Sequence, residues 1–125
     1  TLELKIQQAM KTAPNHQYTL KELIEEYRKD QKVTVKQSTY SRNYFACNAI
    51  MKMLGESTIV EHMTAKYVRS KFRDSGKENS TLNEHLTRFR ALIRWGYSND
   101  MISDITFLEK IEPFKDLPHK TKNTG

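Results

Sequence analysis

The sequence predicts an all-α fold, a compact bundle of four main helices with a short C-terminal turn and an extended exit. Three observations predict it. Apolar residues recur at spacings of three and four in four separate segments, no stretch alternates with period two over a useful length, and caps or glycines punctuate the apolar runs. A chain of 125 residues fits one domain core. Its hydrophobic fraction of 37% makes that core lean and the surface wet.

Thr1 to Thr12 have the pattern of a short helix (Leu2, Ile6, Ala9, Met10) that Pro14-Asn15 interrupts, so residues 1–18 read as a leader. Thr19 with Glu22 forms a capping box, and Leu20, Leu23, Ile24 and Tyr27 give the first main helix over about 20–31 one apolar face. Lys32 to Gln37 is a connection. Ser38 or Thr39 opens the second helix, whose expected buried set is Tyr40, Tyr44, Cys47, Met51 and Leu54, and Gly55 ends it. Thr64 caps a third helix with Ala65, Val68 and Phe72 inward, closing near Ser75-Gly76. Ser80 or Thr81 begins the longest helix, with Leu82, Leu86, Phe89 and Ile93 inward, ending before Ser98-Asn99-Asp100. Ile105, Leu108 and Ile111 make a last apolar turn, and Pro113 and Pro118 bracket the exit. The expected divisions are a domain over 19–112 and a linker over 113–125.

No run of apolar residues is long enough to cross a membrane, and the N-terminus lacks a secretory pattern. The single cysteine, Cys47, has no partner for a disulfide or a metal, which predicts a reducing, cytoplasmic setting. His16, His62 and His119 are isolated, so neither metal nor cofactor is expected. The chain begins at Thr1 without a methionine and stops in a polar tail, and a piece of a longer protein is expected.

The net charge of +6 is uneven. Basic and acidic residues balance over 1–31, whereas 66–94 hold eight basic residues against Asp74, Glu78 and Glu84. A polyanion fits such a region. On the fourth helix Ser80, Asn83, Thr87, Arg90 and Arg94 share a face that carries no acid, and arginine, asparagine and hydroxyls are the groups that read bases and hold phosphates. Lys36, Ser38, Thr39, Arg42 and Asn43 crowd the start of the second helix, again without a carboxylate, where free backbone N–H groups favour phosphate. Lys77 precedes the fourth helix and joins the set. A plain solvated face and plain capping by Ser38 or Thr39 are the alternatives. Most aromatic residues fall on apolar faces and suit a core; Phe45 and Tyr67 lie off them and are the two exceptions that base stacking would use.

In order and spacing, several pieces resemble the core-binding (SAM-like N-terminal) domain of tyrosine recombinases, the phage and transposon integrases. They are Thr19-Leu20-Lys21-Glu22-Leu23 with Tyr27, Ser38-Thr39-Tyr40, Leu54-Gly55, Met63-Thr64, Ser80-Thr81-Leu82-Asn83 and Trp95-Gly96-Tyr97, followed by Ile102 to Phe114. The resemblance spans about residues 19–117. It implies site-specific recombination and integration of mobile-element DNA, with the second and fourth helices facing one duplex at the core attachment site and the exit leading to the protein's own catalytic domain. It also implies assembly on double-stranded DNA as the full-length protein, with this piece monomeric alone.

Catalysis in that family uses a tyrosine nucleophile with Arg, Lys and His-x-x-Arg groups. His85-Leu86-Thr87-Arg88 matches the last as a string, but Leu86 belongs to the helical core pattern and no tyrosine follows Tyr97. No catalytic residue is therefore expected in this piece, which should bind DNA and cleave nothing. A helical transcription regulator dimerising on an operator, or a protein-interaction module with an acidic partner, are the alternatives.

Overall fold

The computed structural model describes residues 16–115. The predicted leader helix, most of residues 1–18, and the exit beyond Lys115 lie outside the described residues. Four helices carry the fold, as the sequence predicts: α1 (Leu20–Thr34), α2 (Gln37–Leu54), α3 (Ala65–Asp74) and α4 (Asn79–Ser98). Short 3-10 turns follow at Val60–His62 and Thr106–Lys110. Among the described residues the one β feature is an isolated bridge between Thr19 and Ile59.

The capping box of α1 forms as read: Thr19 Oγ1 accepts from Glu22 N–H at 3.1 Å and Glu22 accepts from Thr19 N–H at 2.9 Å. The loop after α2 completes the cap, because Thr58 O and Glu56 O accept from the Leu20 and Lys21 amides at 2.9 and 3.0 Å. Every amide of the first turn of α1 is thus spent inside the protein. The α4 helix is 20 residues long, about 30 Å at 1.5 Å per residue.

The core gathers Leu20, Leu23, Ile24 and Tyr27 of α1 with Cys47, Ile50 and Leu54 of α2, Val68 and Phe72 of α3, and Leu82, Leu86, Phe89, Leu92 and Ile93 of α4. Gly96 lets α1 come close to α4: a Cβ there would stand 2.8 Å from Leu23 Cδ1 and 2.7 Å from Ile102 Cδ1. Trp95 ties the same two helices, donating from Nε1 to Asp30 at 3.1 Å beside the edge of Tyr27.

Two expectations are corrected. The buried stripe of α2 is Ala46, Cys47, Ile50 and Leu54, not the series starting at Tyr40 and Tyr44. Tyr44 is exposed, and the Arg28 guanidinium sits 3.7 Å from its ring centre while donating to Tyr44 O and Asn48 Oδ1. A cation over the ring replaces burial in the core. The second correction concerns the exit. Phe114, assigned to the linker, is fully buried and stacks on Phe72 at 5.7 Å.

Candidate nucleic-acid interface

The α2 helix starts at Gln37, before the expected Ser38 or Thr39, with Lys36 in the N-cap position. Ser38 and Thr39 therefore lie in the first turn, neither caps the helix, and no side chain accepts from its first amides. The contrast with α1, and with α3, where Thr64 accepts from Tyr67 N–H, is direct. The first turn of α2 contains no acid, and none of its 18 residues is Asp or Glu. Such an end attracts anions, because its unspent N–H groups and the helix dipole both point outward.

Along α2 the exposed residues Ser38, Arg42, Phe45 and Lys52 follow spacings of four, three and seven, so they share one outward face. Lys52 continues this face into an open groove of about 580 Å³ lined also by Asn48, Ala49, Met53, Lys71, Asp74, Ser75 and Lys77. Three lysines face a single carboxylate there. The sequence reading nominated Lys77 but missed Lys52 and Lys71; extending the spacing from Ser38 would have found Lys52, whereas Lys71 reaches the groove only through the packing of α3 on α2.

Asn43, nominated for DNA contact, is a structural tie instead. Its amide donates to Gln31 Oε1 at 2.5 Å and its carbonyl oxygen accepts from Arg88, so it joins α1, α2 and α4. Arg88 with Glu84 and His85 forms the flank of α4 that meets Arg42, Phe45 and Ala46 of α2.

The stripe nominated on α4 is divided. Ser80, Thr87 and Arg94 are exposed, although the Thr87 hydroxyl donates to Asn83 O at 3.0 Å. Asn83 is engaged by the exit segment: its amide donates to Phe114 O at 2.9 Å and its oxygen accepts from Phe114 N–H at 2.7 Å. Arg90 donates to Ile111 O. Both side chains hold protein where DNA contact was expected. At 100° per residue Arg88 lies about 140° round the helix from Asn83 and about 160° from Arg90. The face that meets α2 and the face that holds the exit are therefore opposite flanks of α4, whereas the expectation put both nominated stripes against one duplex.

Two more arginines complete the hold on the exit. Arg69 donates to Glu112 O at 2.5 Å, Arg73 reaches Lys115 O at 3.5 Å and Asn79 Oδ1 at 2.7 Å, and both guanidinium groups lie within 5.0 Å of the Phe114 ring centre. Phe114 and the Lys115 carbonyl, placed by the sequence in the linker after 112, thus pack on α3 and α4. The apolar spacing of three from Ile111 to Phe114 was the available signal.

Among the described residues Lys29 is the one lysine or arginine in an ion pair, with Glu26 at 3.1 Å, so carboxylates leave the α2 and groove cations unneutralised. Burial, then Lys77, lowers the His85 pKa, with Glu84 opposing and Arg88 assisting the shift. Cys47 is buried in the core, and that burial pushes its thiol up to about 11. His85 and Arg88 both lie within α4, with Leu86 buried between them. Among the described residues no cluster of His, Cys, Asp or Glu could hold a metal, and no helix is long and apolar enough to cross a membrane. No protein-family model, curated protein or solved structure matches this chain.

Proposed function

We propose that this chain binds duplex DNA as the core-binding domain of a site-specific tyrosine recombinase, an integrase of a phage or integrative element. One observation carries the DNA-binding part: α2 is uncapped and free of carboxylates, Lys36 stands at its N-cap, and Ser38, Arg42 and Lys52 share an outward face that at Lys52 borders a lysine-lined groove. Phosphates are bound by just these groups, backbone amides at a helix start together with lysine and arginine. Lys77 contributes through the groove, Thr39, Ser80, Thr87 and Arg94 are peripheral candidates, and Asn43, Asn83 and Arg90 serve the fold. The recombinase part rests on the ordered resemblance over residues 19–117 and on the all-helical architecture, with catalysis assigned to a separate domain.

The test is the salt dependence of duplex binding, read by fluorescence anisotropy. Each phosphate contact contributes about −0.9 to the slope of log affinity against log salt concentration, so three to five contacts give a slope between about −2.7 and about −4.5. The Arg42→Glu/Lys52→Glu double variant should flatten that slope by about 2. Equal affinity and equal slope for the variant and the parent chain would remove α2 from the interface.

A further inference from the structure

Phe45 stands in the middle of the cationic face of α2, between Arg42 and Lys52, with 70% of its surface exposed. That exposure is unusual beside the other aromatics. Tyr67, the second exception noted in the sequence, is tied down by donating its hydroxyl to Leu54 O at 2.6 Å, and Tyr44 is covered by Arg28. Phe45 meets the edge of Tyr44 and otherwise borders an open hollow of about 250 Å³ between α2 and α4, lined by Arg42, Ala46, Glu84, His85 and Arg88.

The hollow has a second feature. His85 Nδ1 is shielded from solvent and has no hydrogen-bond partner, one of two such side-chain atoms among the described residues. Buried polar groups are normally satisfied, so His85, which lines the hollow, keeps a hydrogen-bonding capacity that the protein leaves unused. Arg42 lies three residues from Phe45 on the same helical face, exposed and with no ion pair to Glu84. The two arginines of the hollow outweigh its one carboxylate.

We infer that Phe45, Arg42 and His85 form a seat for one unpaired base, so that the domain favours duplex DNA carrying an unstacked nucleotide over a fully paired duplex. An exposed π face within a cationic track is the arrangement by which proteins stack single bases, Phe45 taking the base and Arg42 the adjoining phosphate. The inference rests on the proposal that α2 binds DNA. It adds to that proposal the state of the base that α2 meets.

Anisotropy with one labelled duplex, intact or carrying a single-nucleotide bulge, tests it. The parent chain should bind the bulged duplex about tenfold more tightly, Phe45→Ala should erase that preference while still binding the intact duplex, and Phe45→Trp should keep it. Equal binding of the two duplexes by the parent chain, or a preference that survives Phe45→Ala, overturns the seat and leaves the DNA-binding proposal standing. Failure to bind either duplex at low salt overturns both. Sedimentation of the parent chain and of Phe45→Ala supplies a further outcome: a dimer lost in the variant would show that a second copy covers this face, and would also overturn the seat.

Discussion

The outward face of α2 and the nominated stripe of α4 are built from the same kinds of residue at the same helical spacing, yet they do different work. What separates them is the segment lying opposite. Residues 111–115 cross α4 and take up Asn83 and Arg90, whereas nothing among the described residues covers Arg42, Phe45 or Lys52. A polar stripe on a helix is thus a set of unspent hydrogen bonds only until the rest of the chain is placed, and backbone carbonyls of an irregular segment are strong competitors for arginine and asparagine.

Variants can sharpen this contrast. The largest effect should come from Phe114→Ala, which removes a buried ring and should cost about 3–5 kcal/mol in urea denaturation; a stability within error of the parent would return residue 114 to a linker. Asn83→Ala should cost about 1–3 kcal/mol by leaving the Phe114 amide and carbonyl unmatched, while duplex affinity of the folded protein stays unchanged. The reverse pattern, intact stability with lost affinity, would make Asn83 a base reader after all. Arg94→Ala on the exposed side of the same stripe should change stability by less than about 0.5 kcal/mol, and Arg90→Ala should exceed it.

The smallest effect concerns pH. Burial holds the His85 pKa below 6.5 in the folded protein, so as pH falls through 6.5 the unfolded chain takes up a proton that the folded one resists. Its contribution to stability is complete above that value and declines below it. Denaturation at pH 7.5 and 5.5 should therefore show a larger loss for the parent chain than for His85→Gln, and equal losses would contradict the assignment.

The helices themselves were legible in the sequence because local signals fix them. Thr19 with Glu22, Thr64, Gly55 and the apolar spacing of α4 each state a boundary or a face without reference to distant residues. The failures came where the answer depended on tertiary neighbours. Tyr40 and Tyr44 continue the apolar series of α2, but an arginine from α1 claims Tyr44 and moves the core to Ile50. Ser38 and Thr39 are the usual capping types, yet the helix starts at Gln37 and leaves them in its first turn. Asn83 and Arg90 look like readers of DNA until the exit segment is laid beside them. The site was half legible in the same sense: composition marked the start of α2, and only packing brought Lys71 and Lys77 to the groove that Lys52 enters.

The central claim is that the start of α2 is the end of the bundle at which anions bind, and the amide signals of the two first turns test it most directly. Titration of the ¹⁵N-labelled chain with a short duplex at low salt should shift or broaden Gln37, Ser38 and Thr39 while leaving Leu20, Lys21 and Glu22, whose amides are already bonded, in place. Perturbations gathered at Asn83, Arg90 and the exit segment, with Gln37 to Thr39 unmoved, would contradict it.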